Sequence, residues 1–370
     1  MATATCKRFS IVKQGTIFRT AGGLQGYYPR VLSLGGREFL ASFVASTECE
    51  SADSHPELAR STDGGMTWTA EGPLDDAGFA EGMTTETGFI SKASDGSLFC
   101  LGAQWSYAPA LPLVHPKTLG MRENRIVLRR SGSQGRAWTA PVELHKPYPV
   151  PLELPTGITA LNDGTLIISC ATWGNWDGTC PYGHRVTTMR STDGGTTWTG
   201  PIDIFYDPKK RLGFWEARIL QLSGDTLLAT CWSHDWKTDK DAANHYAVSH
   251  DAGLTWTAGM PTPVKGQTGW PMLLDDGHIL FVYNHRRAPV GVRAQIADVS
   301  GGQWKTVYDG EVWTPENRKV GEIVKGDYAV THFQFGQPSA IRLRPDTFLV
   351  IYWCVVGGRA GIDFTMGRLD

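Results

Sequence analysis

Ser61-Thr-Asp-Gly-Gly-Met-Thr-Trp68 decides the architecture, because it returns as Ser191-Thr-Asp-Gly-Gly-Thr-Thr-Trp198 and as Ser249-His-Asp-Ala-Gly-Leu-Thr-Trp256. Two worn copies keep its frame, Ser131-Gly-Ser-Gln-Gly-Arg-Ala-Trp138 and Ser300-Gly-Gly-Gln-Trp304. The physics of S-x-D-x-G-x-T-W is local. The Asp side chain accepts backbone N–H bonds in a tight turn, Gly supplies a positive φ, and the Trp packs under the turn. Asp63, Asp193 and Asp251 therefore read as structural residues rather than catalytic ones.

A second repeat lies between the copies of the first. It is an apolar strand, a turn dipeptide, then another apolar strand: 30–43 around Gly35-Gly36, 88–103 around Asp95-Gly96, and 156–172 around Asp163-Gly164. It continues through 216–232, 270–284 and 337–354 around Gly224-Asp225, Asp276-Gly277 and Pro345-Asp346. Turn dipeptides between β-branched-rich runs are hairpins. Each hairpin is followed by a further strand and, in most units, by the octapeptide turn. Four strands repeated six times give an all-β, six-bladed β-propeller, which removes exposed sheet edges by radial closure. The expectation is one domain over 1–370, with the run 8–18 pairing with 362–369 to close the ring.

Composition agrees and excludes other classes. The 370-residue chain is 41% apolar, enough for a large core, and only 19% charged. A formal charge of −2 argues against nucleic acid as a partner, and the chain has no apolar run long enough to span a membrane. The first fourteen residues are interrupted by Lys7, Arg8 and Lys13, so a cytoplasmic location is expected, with a secreted mature form left open. The seven cysteines form no CxxC pair, and Cys100, Cys170, Cys231 and Cys354 fall at similar places in the repeat, as buried small apolar residues would. The ten histidines form no HxH or HExxH, and GxGxxG is absent, so no metal or cofactor is expected.

The S-x-D-x-G-x-T-W turns resemble the Asp boxes of the sialidase (neuraminidase) superfamily, which carries them at the outer corners of six-bladed propellers. Such turns also occur in sugar-binding, lyase and non-enzymatic propellers, so activity has to come from the site. The resemblance implies three diagnostic slots. The Arg of an opening Phe/Tyr-Arg-Ile-Pro falls on Tyr27, two residues before Pro29, with Arg30 beyond the proline. The tyrosine nucleophile at the start of blade six falls on Gln337. The partner glutamate of blade four falls on Glu216, in Trp215-Glu-Ala-Arg218. One slot of three is filled, so the resemblance implies the fold and a sugar-like ligand more than a tyrosyl mechanism on sialic acid.

Candidate chemistry gathers in the loops expected at one end of the axis. Asp53 and His55 lie in Glu48-Cys-Glu-Ser-Ala-Asp-Ser-His-Pro-Glu57, where the family takes its acid/base Asp. Glu86 opens blade two. Glycoside hydrolysis needs paired carboxylates, and Asp53, Glu86 and Glu216 are the candidates. His285 with Arg286 and Arg287 follows a strand directly, a cluster suited to a sugar carboxylate, and Arg30 joins it. His234, His245 and Gln337 are further candidate contacts, with His332 beside them. Trp105, Trp173, Trp176, Trp215, Trp232 and Trp270 are candidate sugar platforms, and the proline-rich stretch 106–122 reads as a functional loop. The leading expectation is an exo-acting glycoside hydrolase on a glycan bearing or neighbouring an acidic sugar. A lyase on a uronic-acid glycan, using His and Tyr, and a non-catalytic carbohydrate-binding propeller are the alternatives.

Overall fold

The computed structural model describes residues 8–74, 84–154, 156–315 and 333–370. The octapeptide closes as its chemistry dictates. Asp63 Oδ1 accepts from the backbone of Met66 at 2.9 Å and of Thr67 at 3.0 Å, and Thr67 Oγ1 donates to Asp63 Oδ2 at 2.6 Å. Gly64 and Gly65, at φ 84° and 83°, make the reversal, and Trp68 Nε1 donates back to the Gly65 carbonyl. Asp193 and Asp251 repeat the pattern. In the worn copy, Ser133 Oγ takes the place of the carboxylate and accepts from Ala137 N–H at 2.9 Å.

These turns and the hairpins build six antiparallel sheets, and every regular element among the described residues is a strand. The fold is the expected six-bladed β-propeller. The innermost strands are Gln25–Gly35, Thr84–Lys92, Leu212–Ser223, Gly269–Leu273 and Phe335–Arg344. In the third blade the inner strand is split into Leu152–Glu153 and Ile158–Ala160, both paired with Leu166–Thr172. Neighbouring blades meet around the axis through their inner strands, the third and fourth through Leu166–Thr172 and Leu212–Ser223, and the last returns to the first. Phe9–Phe18 pairs with Arg359–Leu369, from Phe9 opposite Leu369 to Phe18 opposite Ile362, so the outer strand of the sixth blade comes from the beginning of the chain.

The core is accordingly a set of wedges between blades. Phe43 of blade one packs with Ile351, Trp353 and Phe364 of blade six, and Phe89 and Leu101 of blade two with Ile168 and Met189 of blade three. Cys100, Cys170, Cys231 and Cys354 are buried on second strands.

Asp63→Ala removes the Asp63 bonds that close its turn and should cost about 1 kcal/mol, a modest drop in the thermal midpoint, since the carboxylate is partly exposed. Bonds from the Thr67 side chain and backbone hold the Asp63 carboxyl below the usual range, and Thr197 and Thr255 do the same for Asp193 and Asp251. A depressed carboxyl contributes stability above its unfolded pKa, and the contribution fades as pH falls through the folded value. The midpoint of the wild type should therefore fall once the pH drops below about 4, and less steeply in the Asp63→Ala, Asp193→Ala, Asp251→Ala triple variant.

Candidate active site

Three of the inner strands carry one extra residue at the same height. Their registers jump between Tyr27 and Arg30, between Trp215 and Arg218, and between Gly336 and Ser339. At each jump one non-glycine residue takes a positive φ: Tyr28 at 53°, Glu216 at 54° and Gln337 at 42°. Such a backbone costs on the order of 1–3 kcal/mol per residue and persists only where its surroundings hold it. All three side chains line one cavity at the starts of the inner strands.

Carboxyls converge there. Gln337 Nε2 donates to Glu216 Oε1 at 2.7 Å, and Thr268 Oγ1 donates to Glu216 Oε2. The Glu216 backbone N–H donates to Glu153 Oε2 at 3.1 Å, which brings the blade-three carboxyl onto the blade-four bulge. Across the cavity Tyr28 donates to Glu50 Oε1 at 3.1 Å. Burial raises the Glu153 pKa, and the Glu216 charge beside it raises it further. Burial also raises Glu50, against the lowering effect of the Tyr28 bond, and it lifts Tyr28 well above the ordinary phenol range. Arg286 faces the same space. Its Nη2 donates to the Phe335 carbonyl, its Cζ lies 3.6 Å from the centre of the Phe333 ring, and burial lowers its pKa to about 10. Trp105, Trp173, Trp232 and Trp353 supply aromatic wall, and Val114 and Met121 bring the proline-rich loop to it.

Of the residues singled out in the sequence, Glu216, Gln337, Arg286, Trp105, Trp173 and Trp232 line this cavity. Glu86 does not. The inner strand of blade two runs without a bulge from Thr84 to Lys92, so Thr87 faces the cavity and Glu86 turns toward blade one. It is 4% exposed and forms a two-pronged ion pair with Arg129, joined by Gln104. Asp53 braces its own loop, accepting from Thr47 N–H at 3.0 Å and from Thr47 Oγ1 at 3.2 Å, and Glu50 of that loop lines the cavity instead. His55 sits against Glu57 at 3.3 Å. Burial works against its charge, but Glu57 and the Asp53 carbonyl outweigh that and raise its pKa.

The remaining candidates support blades. His285 Nδ1 contacts the Pro289 carbonyl at 2.8 Å, and Arg287 Nη1 donates to Asp241 at 3.1 Å. His234 is fully buried near Asp239 and Asp241, and His245 meets Ser233 Oγ and the Ala243 carbonyl. Arg30 is 1% exposed below the cavity, with its guanidinium 4.6 Å from the Phe89 ring and 5.5 Å from Trp270. Trp215 is wholly buried, Trp270 lies lower on the axis, and Trp176 packs on His115. His332 falls outside the described residues.

Glu153 was missed because the third inner strand is split, which puts Leu152–Glu153 ahead of its apparent beginning at Thr156. The signal was a carboxylate just before a blade's first strand, as in blade four. Glu86→Ala should destabilise the fold by about 3–5 kcal/mol, because it removes one member of a buried ion pair. Asp53→Ala should cost about 1 kcal/mol. Denaturant midpoints of the two variants check the contrast.

The family model described as a BNR repeat-like domain matches residues 113–319. No curated protein matches the chain. Among solved structures, a protein of unknown function from Dyadobacter fermentans superposes with a TM-score of 0.72 at 18% identity, covering 98% of this chain and 99% of that one. An α-L-arabinanase of Penicillium chrysogenum complexed with arabinobiose gives 0.68 at 15%, covering 97% and 98%. The NanB sialidase of Streptococcus pneumoniae gives 0.63 at 13%, covering 96% and 70%. At these identities the likeness is one of fold. With more than half its length matched, the chain belongs to the BNR repeat-like family, on the propeller that it shares with sialidases and arabinanases.

Proposed function

We propose that the protein is an exo-acting glycoside hydrolase in which Glu153 and Glu216 are the catalytic pair. The observation that carries this is the Glu153 carboxylate accepting the backbone N–H of Glu216, two carboxyls of adjacent blades in one cavity and in unlike environments. Burial and the charge of Glu216 favour the protonated form of Glu153, as a general acid for the leaving oxygen requires. Glu216, held by Gln337 and Thr268, is then the nucleophile. Two carboxyls this closely linked suit the shorter, roughly 5–5.5 Å spacing of retaining enzymes better than the roughly 6.5–9.5 Å spacing that admits a water.

The tryptophan walls suit stacking on a sugar ring. With Glu153 and Glu50 pushed toward their neutral forms, the Glu216 carboxylate and the Arg286 guanidinium leave the charges lining the cavity near balance among the described residues, which favours an uncharged terminal sugar. The structural neighbour complexed with arabinobiose is in keeping with such a substrate. An acidic sugar is the second reading, and Arg286 is the observation that favours it. A lyase is disfavoured because the cavity wall holds Tyr28 but no histidine among the described residues, and the Tyr28 phenol is pushed away from the form a base needs.

Oligosaccharides capped by neutral pentoses, neutral hexoses or uronates, read by mass and by ultraviolet absorbance, test the assignment. A neutral sugar should be released with its anomeric configuration retained in the first product seen by NMR. Appearance of the unsaturated-uronate band sinks the hydrolase reading. Glu153→Gln should lower kcat by about 10²–10⁴-fold on substrates with poor leaving groups. It should also flatten the alkaline fall in rate, because the raised carboxyl of the wild type is an acid only until pH climbs through its pKa. Glu216→Gln should bind substrate and not turn it over; wild-type turnover in that variant overturns the pairing.

A further inference from the structure

One carboxylate of blade four has no part in the proposed hydrolysis, yet its bonds lead to the cavity. Past its second strand the chain turns back on itself, so that Lys240–Asp241 pairs with His234–Asp235. Asp235 holds this turn, accepting from the Lys237 N–H at 2.9 Å and from Arg211 Nη2 at 2.6 Å, and Asp239 takes a φ of 52°. The turn delivers the Asp241 side chain into the interior, where it has no exposed surface. A carboxylate there is costly unless donors surround it.

The donors come from two blades. Trp232 Nε1, on the second strand of blade four, donates to Asp241 Oδ1 at 2.7 Å. Gln267 Nε2, just ahead of the inner strand of blade five, donates to Oδ2 at 3.3 Å, and Arg287 Nη1 donates to the same oxygen at 3.1 Å. His234 stands beside Oδ1, with Nδ1 3.8 Å away.

Trp232 and Gln267 both line the catalytic cavity, and Arg287 directly follows Arg286, which lines it too. Gln267 also precedes Thr268, the donor to Glu216. Asp241 therefore stands behind the wall and grips it from the back. An indole has one N–H, and a bond from it to a charged acceptor fixes the plane of the ring. Trp215 backs the same ring, with centroids 5.4 Å apart. A platform held in this way loses little freedom when a sugar stacks on it, which is how preorganisation strengthens binding. The charge of Asp241 reaches the cavity as well: after Glu216, it opposes the lowering of the Arg286 pKa by burial. Glu86 with Arg129 is the contrast, a buried pair whose carboxylate turns away from the cavity.

We propose that Asp241 is a positioning residue for the substrate, holding the Trp232 ring and the Gln267 side chain from behind in the geometry in which they meet the sugar. Asp241→Ala should raise KM for the cleaved oligosaccharide about tenfold and leave kcat within about threefold. The alkaline limb of the rate profile, set by Glu153, should stay where it is in the wild type. Asp241→Asn, whose amide oxygen can still accept from Trp232, should raise KM only about threefold. In a Trp232→Phe background, which lacks the indole N–H, Asp241→Ala should add no more than about threefold, the share of Gln267. The full factor in that background, an unchanged KM in both Asp241 variants, or a loss confined to kcat overturns the role. If Asp241→Ala does not fold, an unchanged KM in Asp241→Asn does so alone. This role rests on the hydrolase reading, and a measurement without turnover separates the two. In protein labelled with nitrogen-15 at tryptophan, the indole signal lost in Trp232→Phe belongs to Trp232. Should the wild type cleave no oligosaccharide, the hydrolase reading falls, and the pentose- and hexose-capped oligosaccharides are titrated against that signal. A shift that saturates in the wild type and needs about tenfold more sugar in Asp241→Ala supports Asp241. A signal that neither sugar moves, or that moves equally in both proteins, removes it.

Discussion

Antiparallel pairing of the chain's first described strand with its last holds everything else in place. Phe9–Phe18 lies along Arg359–Leu369, so the sixth blade is completed by residues from the opposite end of the sequence and the ring closes. Closure forces six inner strands to face a common axis. Side chains that leave those strands inward meet one another instead of solvent, and their charges are buried without each blade supplying its own partner. A propeller of this kind concentrates polar groups that an ordinary sandwich core could not hold.

Burial then sorts those groups by where water and partners are available. Within blades, buried charge finds partners: Glu86 pairs with Arg129 in blade two, and Arg60 with Glu38 and Glu71 in blade one. Along the axis the pairing is incomplete, because Glu153 and Glu50 are raised while Arg218 and Arg286 are lowered. Opposed shifts among neighbours are what acid–base chemistry and ligand capture need, whereas purely structural pairs move toward full charge. The contrast between Glu86 and Glu153 illustrates this. Both are glutamates at the start of an inner strand, Glu86 buried and Glu153 half-buried in the cavity wall, and among the described residues only Glu153 lacks a guanidinium hydrogen-bonded to its carboxylate.

The fold was legible because its signals are local. The octapeptide closes through bonds spanning three or four residues, and the hairpins through dipeptides, so repetition alone revealed the blades and their number. The site was legible only in part. Glu216 and Gln337 were found by counting along the repeat, and Arg286 as part of a cationic cluster directly after a strand. Counting failed at Glu86 and at Tyr28, because it assumes that facing alternates without interruption, and a bulge changes the facing of every residue beyond it. It failed at Glu153 because the inner strand of blade three breaks. It failed in the blade-one loop because nothing in Glu48–Glu57 distinguishes the acid that caps a turn from the one that reaches a cavity; a backbone φ of 60° at Glu50 does.

That irregularity is not spread evenly. Tyr28, Glu216 and Gln337 occur in blades one, four and six, each at the jump in its inner strand, and each lines the same cavity. Blade two, which is regular, contributes a structural ion pair at the corresponding height. Three strained residues at one level cost several kcal/mol together by the usual scale. A regular strand was available to this sequence, as blade two demonstrates, and would have avoided the cost. The bulges turn a glutamate, a glutamine and a tyrosine from the blade faces to the axis, so the strain lies where it reorients the groups that would meet a substrate.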